Sequence, residues 1–285
     1  MKLYYISFPR FPERYRHIRN ELEKVGLMGE PIEAVDGALL TEKDLEELCD
    51  VEEIHRYGNA LLDANKQINK HKVGATLSHH RFYKALISSP DKAGCVLEDD
   101  VILPMSFRNI LMALEKELEE DELVLLYAGA HQDKRLSKRG AKFLGRIDGV
   151  EYGLYYPMTP NVASAVAYCI GRKAAQRLLA INTPIKCTVD LWEYYYKRGA
   201  FSRIRIVYPL CVGHETFRST ISYPALGRWG RMRAYVRNVI ESTKFPLLYN
   251  LLRWRRGRVI ERLAKFYLVD EESPIAKGQV PFPVS

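Results

Sequence analysis

Short apolar runs alternate with segments of helical periodicity from Leu3 to Val207, and no other feature constrains the fold of this chain as tightly. Strands and helices in alternation build an α/β domain with a mostly parallel sheet flanked by helices. Leu3 to Ile6 reads as the first strand, and Glu13 to Val25 as a helix with Tyr15, Ile18, Leu22 and Val25 at helical spacing, ended by Gly26. Pro31 to Val35 is a second strand closed by the turn pair Asp36-Gly37, so the chain opens with a βαβ unit. Thr41 and Asp44 form a capping-box pattern, with Asp in place of the usual Glu, before a helix to Cys49.

Residues 51 to 72 are polar and without clear period, which predicts a loop. A helix from Thr76 to Ser88 leads into a strand ending at Glu98. Ser106 to Glu120 is amphipathic, with Ile110, Leu111 and Leu114 on one side. Leu123 to Tyr127 reads as a buried strand, and the polar, basic stretch His131 to Gly149 as a mobile loop. Val162 to Ile170 is apolar enough for a central strand. Arg172 to Ile181 follows as a helix packed through Ala175, Leu178 and Leu179 and broken by Pro184. Val189 to Lys197 is aromatic and expected to be helical, and Ile204 to Val207 is the last strand.

At 285 residues the chain accommodates one large α/β domain with an appendage, or two small domains. Hydrophobic residues at 47% and charged residues at 27% exclude the disordered and fibrous classes. Five scattered cysteines (Cys49, Cys95, Cys169, Cys187, Cys211) without a C-x-x-C pair fit a reducing compartment. The apolar run after Met1 is too short for a signal peptide, and no segment has the roughly 18 apolar residues that span a bilayer. The expected location is therefore cytoplasmic, with attachment to a membrane surface still open.

The formal charge of +8 is unevenly placed. Residues 228 to 265 hold eleven Lys or Arg against Glu241 and Glu261, a net +9 that leaves about −1 for everything else. Trp229, Met232, Tyr235, Val236, Val239 and Ile240 recur there at helical spacing, and Leu247 to Trp254 with Arg255-Arg256 repeats the pattern after Pro246. Basic amphipathic helices of this kind lie in anionic membrane interfaces. Packing on the catalytic domain or on a homodimer partner competes with that reading. Nucleic-acid binding is disfavoured, because the aromatics share the apolar face instead of forming a stacking platform. The expected division is a catalytic domain over 1–225 and a basic helical C-terminal region over 226–285.

The apolar run Ala93 to Leu97 delivers Glu98, Asp99 and Asp100 to a sheet rim, where open α/β sheets bind ligands. Oxygen-only ligands there suit Mg²⁺ or Mn²⁺, which can grip a diphosphate; a solvated acidic turn is the plainer reading. Three adjacent acids also call for a positive group nearby. Asp190 and Glu193, at i and i+3 among Trp192, Tyr194 and Tyr195, are candidates for proton transfer at an aromatic-lined site, the plainer reading of Asp190 being a helix N-cap. Arg10 and Arg14 can reach a diphosphate from the turn after the first strand, or simply be solvated. Asp36 suits a nucleobase or ribose, or only its Asp-Gly turn. Asp99 can hydrogen-bond a bound ligand instead of a metal. His214 can return to the metal as a third ligand or be an ordinary loop histidine. His80 is expected to face solvent.

Four patterns now stand in order: Pro9-Arg10-Phe11-Pro12-Glu13-Arg14, Ala34-Val35-Asp36-Gly37, Gly74-Ala75-Thr76-Leu77-Ser78-His79 and Leu97-Glu98-Asp99-Asp100. Together they resemble glycosyltransferase family 25, the lipopolysaccharide and lipooligosaccharide galactosyltransferases related to the collagen galactosyltransferases. Ala167 to Ile170 with Gly171 to Ala175, then Val189-Asp190 and Ser219-Thr220-Ile221, extend the likeness to Ile221. Ser7 stands where the family usually has Asn, Ala75-Thr76 where it has Cys-Ala, and Gly171 where it has Ser.

The resemblance implies a GT-A-like, Rossmann-type fold and a metal-dependent inverting transfer of galactose from UDP-galactose to a lipid-linked glycan at the inner face of the cytoplasmic membrane. It places Ser78 and His79 on the nucleotide side, offers Asp99 the ribose or the donor sugar as an alternative to the metal, and strengthens Asp190 as base. Two rivals are a metal-dependent phosphohydrolase, for which the sequence has no H-x-H or D-x-H pair to build a second metal cluster, and a non-catalytic membrane-binding scaffold.

Overall fold

The computed structural model describes residues 1–8, 10–57, 60–63, 65–127, 136–157, 162–214, 232 and 236, with backbone alone at 57, 137–140 and 214. The expectations for residues 215–231, 233–235 and 237–285, and for Ser219-Thr220-Ile221 among them, lie outside the described residues. Met232 and Val236 of the basic segment are helical and about half exposed.

The opening βαβ unit is present as β1 (Lys2–Ser7), α1 (Pro12–Lys24) and β2 (Glu30–Glu33). Pro12 starts α1, where its missing N–H costs nothing, and Gly26 at φ +67° ends it in the left-handed region. Thr41 and Asp44 form the expected capping box at the head of α2 (Glu42–Leu48).

The predicted loop over 51–72 is helical at its two ends, with turns and an isolated Leu62–Ile68 bridge between them. Helix α3 (Val51–Tyr57) starts where Asp50 Oδ1 accepts from Glu53 N–H at 3.0 Å, and α4 (Lys70–Ser88) starts where Asn69 caps His71 and Lys72. Both are held by a small third core of Leu45, Cys49, Ile54, Leu61, Val73 and Ile185. Ile185 lies more than a hundred residues from its partners in sequence, so local periodicity does not reveal that burial.

Beyond α4 come β3 (Ala93–Glu98), β4 (Val101–Ile102), α5 (Phe107–Glu115) and β5 (Glu122–Leu125), with α5 ending earlier than its sequence pattern suggests. The stretch expected to be a mobile loop contains β6 (Leu136–Ile147), which forms a hairpin with β7 (Val150–Pro157). Its two-residue turn is Asp148-Gly149 at φ +49° and +81°, both positive as a type I′ turn requires. Next are β8 (Ala167–Gly171), α6 (Arg172–Ile181), α7 (Trp192–Lys197), β9 (Arg203–Tyr208) and the two-residue β10 (Gly213–His214).

Eight strands form one sheet in the order β2-β1-β3-β8-β5-β9-β7-β6, and β10 pairs with β4 apart from it. Six of the eight run in one direction, with β8 and β7 opposed, so the sheet is mixed but dominated by one strand sense. Alternate residues of β1 separate the two cores: Tyr4 and Ile6 pack with Phe82 of α4, Ala174 of α6 and Trp192 of α7, while Leu3 and Tyr5 pack with Ile18 of α1 and Ile110 of α5. The five cysteines are buried and free. Arg205 and Glu122 form a buried ion pair across β9 and β5, which the apolar reading of those strands does not show. Among the described residues, no helix is long and apolar enough to cross a membrane.

Candidate active site

The carboxyl ends of β2, β1 and β3 lie side by side, with Ser7 opposite Glu33 and Ile6 opposite Glu98. This parallel edge is where an α/β sheet presents its loops to a ligand. It gathers Arg10 from the turn after β1, Asp36 from the turn after β2, and Glu98, Asp99 and Asp100 from the end of β3.

The positive group that the acidic triplet requires is Arg14. Its Nη2 donates to Asp99 Oδ1 and, at 3.3 Å, to Asp100 Oδ2. The same stripe of α1 continues the grip: His17 Nε2–H donates to the Val101 carbonyl at 2.8 Å, and Glu21 Oε2 accepts from Leu103 N–H at 2.6 Å. Residues 14, 17 and 21 are spaced to share one helix face, so the helix reads three successive points of the segment that follows β3. On the other side β10 closes the segment, with His214 in register with Val101, the residue after Asp100. The backbone at His214 thus runs beside the turn that follows β3.

Asp99 is only 4% exposed. Burial raises its carboxyl above the usual range, against the opposing pull of Arg14. Its Oδ2 and the Ser7 hydroxyl are buried without a hydrogen-bond partner among the described residues. Such orphans carry a desolvation cost that a ligand or cation can relieve.

Among the described residues no three His, Cys, Asp or Glu side chains form a ready metal cluster. A nucleotide-site Mg²⁺, however, is held by one or two carboxylates with substrate phosphate oxygens completing its shell. Two carboxylates sharing Arg14, one with an open buried oxygen, fit that demand.

Arg10 pairs with Asp36, and its guanidinium lies over the rings of Phe8 and Phe11, 5.2 and 5.0 Å from their centres. Asp36 Oδ1 also accepts from Ala38 N–H at 3.0 Å, so the carboxylate caps its own turn. That turn is pressed onto α4: a Cβ on Gly37 would stand 2.2 Å from the Lys70 carbonyl oxygen, and one on Gly74 would stand 2.6 Å from Gly37 N. Ser78 completes this seam, accepting from Val35 N–H and donating to the Gly74 carbonyl, each at 2.8 Å. Its hydroxyl is thus committed inside the protein. His79 is buried with Nε2 3.6 Å from Glu98 Oε1.

His80 does not face solvent. It is 6% exposed, and its Nε2 accepts from Asn182 Nδ2 at 3.3 Å. Burial, reinforced by Lys84 and His79, pushes its pKa down to about 4. Asn182 also accepts from Lys186 N–H and Cys187 N–H and so shapes the loop leading to Asp190, a role that sequence spacing did not show.

Asp190 precedes α7, whose N-cap is Leu191, so Asp190 and Glu193 do not share a helix face and Asp190 is not the cap. Glu193 is paired with Lys197 at 3.0 Å. The surrounding aromatics are not an open sugar platform: Trp192, Tyr194 and Tyr195 are at most 5% exposed. Trp192 instead packs edge-on against Tyr168 with ring centres 5.1 Å apart, which sets the turn at 190–191 against the core behind Glu98.

Residues 1–192 match the sequence model of glycosyltransferase family 25, described as an LPS biosynthesis protein. The chain belongs to glycosyltransferase family 25. Among curated family 25 proteins it is 26% identical over 193 residues to "Glycosyltransferase 25 family member" of Drosophila pseudoobscura pseudoobscura, covering 67% of this chain and 29% of that protein. It is 27% identical over 195 residues to "Inactive glycosyltransferase 25 family member 3" of Homo sapiens, covering 68% and 31%. The Bos taurus counterpart, "Probable inactive glycosyltransferase 25 family member 3", is 24% identical over 195 residues, covering 68% and 31%. The family 25 chain thus spans under a third of the length of these relatives.

Proposed function

We propose that this family 25 chain is a metal-dependent, inverting glycosyltransferase of the GT-A type that moves galactose from UDP-galactose to a lipooligosaccharide or lipopolysaccharide acceptor. One observation carries the reading: the acids ending β3 are held by Arg14 at the open edge of parallel strands, with Asp99 Oδ2 left buried and unsatisfied. Asp100 and Asp99 or Glu98 would hold Mn²⁺ or Mg²⁺, with His214 as a further ligand. Held by these residues, the ion would supply positive charge to neutralise a departing diphosphate.

Inversion implies a single displacement. The acceptor oxygen bonds to the sugar's anomeric carbon as the bond to UDP breaks, UDP leaves with the electron pair, and the acceptor proton passes to Asp190. Asp190 suits this step, being half-buried and engaged by no hydrogen bond or ion pair among the described residues. Arg10 and Asp36 form the nucleotide side of the edge.

The +9 segment at 228–265 supports a peripheral position on an anionic membrane, at the inner face of the cytoplasmic membrane if the acceptor is lipid-linked. A second reading, a non-catalytic binding protein, is favoured by the relatives named inactive. Release of UDP from UDP-galactose with Mn²⁺ decides between them. Asp100→Ala is expected to abolish release, and full activity in that variant overturns the metal assignment.

A further inference from the structure

Three separated motifs of the sequence meet at His79. The ring sits on α4, 2% exposed, between Glu98 at the end of β3 and Tyr168 on β8. Nε2 is 3.6 Å from Glu98 Oε1, Nδ1 is 2.8 Å from the Tyr168 hydroxyl, and that hydroxyl is 2.8 Å from the Tyr83 hydroxyl. Both tyrosines are fully buried, and the His79 and Tyr168 rings stack with centres 5.7 Å apart.

Proton counting gives this chain a direction. A neutral imidazole has one N–H and one acceptor nitrogen. With the proton on Nδ1, Nε2 would turn its lone pair toward a carboxyl oxygen of Glu98. Tyr168 would then donate to Tyr83, whose own buried proton would have no acceptor among the described residues. With the proton on Nε2 both hydrogen bonds are matched: Tyr83 donates to Tyr168, Tyr168 donates to Nδ1, and the remaining N–H is on the nitrogen that lies 3.6 Å from Glu98 Oε1. From 3.6 Å, a small shift of the Glu98 side chain on ligand binding would close this gap to a hydrogen bond, which orients a carboxylate.

We infer that His79 is a positioning residue for Glu98, set in its tautomer by the buried Tyr168 and Tyr83 hydroxyls, and not a nucleotide ligand. Both ring nitrogens face protein groups, and the ring is closed to solvent. The inference rests on the reading above in one respect, that Glu98 belongs to the metal and diphosphate end of the site.

Two measurements test it. In ¹⁵N-histidine-labelled protein, with the His79 signals assigned by their loss in His79→Gln, the long-range ¹H–¹⁵N spectrum is expected to show the Nε2-protonated tautomer. Tyr168→Phe is expected to shift the Nδ1 signal. A ring protonated on Nδ1 overturns the proposal whatever the enzyme's activity. Binding of Mn²⁺ in the presence of UDP is the second measurement. His79→Leu is expected to weaken it about tenfold or more, and His79→Gln to recover part of the loss because its amide N–H replaces Nε2–H. Equal affinity of the Leu and Gln variants, or wild-type affinity in both, overturns the positioning role. Tyr168→Phe, which deletes one oxygen, gives a folded check through a smaller, few-fold loss. Wild-type binding in Glu98→Gln refutes the metal reading of Glu98 alone, since the spectrum still reports the proton order at His79.

Discussion

Arg14 donates through one nitrogen to both Asp99 and Asp100, so a residue of the first crossover helix neutralises the tip of β3. The Asp99 carboxylate is buried, and a buried charge stripped of its partner is costly. Arg14→Ala is expected to lower stability by about 3 kcal/mol at neutral pH in urea unfolding. Adding Asp99→Asn removes the stranded charge, and the double variant should recover much of that loss. The pH trend has a definite sign. Burial already raises the Asp99 carboxyl, and loss of Arg14 raises it further. Between the unfolded and folded values the native state binds more protons, so Arg14→Ala should regain stability as pH falls through that window.

The seam between Asp36-Gly37 and α4 admits no side chain. A methyl on Gly74 would meet Gly37 N at 2.6 Å and the Val35 carbonyl oxygen at 2.7 Å, both backbone atoms. Gly74→Ala should cost at least about 2 kcal/mol in thermal or urea unfolding. It should also disturb Asp36, which rides on that turn, and through it the ion pair with Arg10. A stability within error of wild type would refute the close approach.

His80 stores an acid sensitivity. Its folded pKa of about 4 lies below the ordinary value of 6.5, chiefly through burial. Between those values the unfolded chain binds the extra proton, so stability present at neutral pH is lost as pH falls below about 6.5. Between pH 7.5 and 5 the loss assignable to His80 is about 2 kcal/mol. His80→Gln keeps an acceptor for Asn182 without titrating there, and its urea midpoint should change less over that range. Equal slopes in the two proteins would remove His80 as the source.

Asp190 and Glu193 now make opposed predictions. Glu193 is tied to Lys197 on the face of α7, whereas Asp190 stands ahead of the helix. If Asp190 receives the acceptor proton, Asp190→Asn should lower kcat at least about 10²-fold. Glu193→Gln should leave kcat near the wild-type value. The reverse order in a UDP-release assay would move the base to Glu193.

Much of the site's frame is legible from local pattern. Strand β1, helix α1 and strand β3 follow from their periods, the Thr41 and Asp44 cap from its spacing, and the acidic edge from the run that precedes it. The β6–β7 hairpin was signalled by Asp148-Gly149, but the surrounding charge masked it. Helix α3 was hidden for a different reason: seven residues with few apolar positions hold together because Ile54 enters a core shared with Ile185.

The sequence by itself determined the strand and helix alternation, the place of the acids at a strand end and the family, because those depend on neighbours along the chain. Only the tertiary structure decided which charge meets which. It paired Arg14 with Asp99, closed Ser78 into a seam, buried His80 and the aromatics around Trp192, and set Glu98 against a histidine wired to two tyrosines. Those outcomes depend on burial and on groups that meet from distant segments. An isolated motif does not say whether its polar atoms will be left open to a ligand or consumed within the fold.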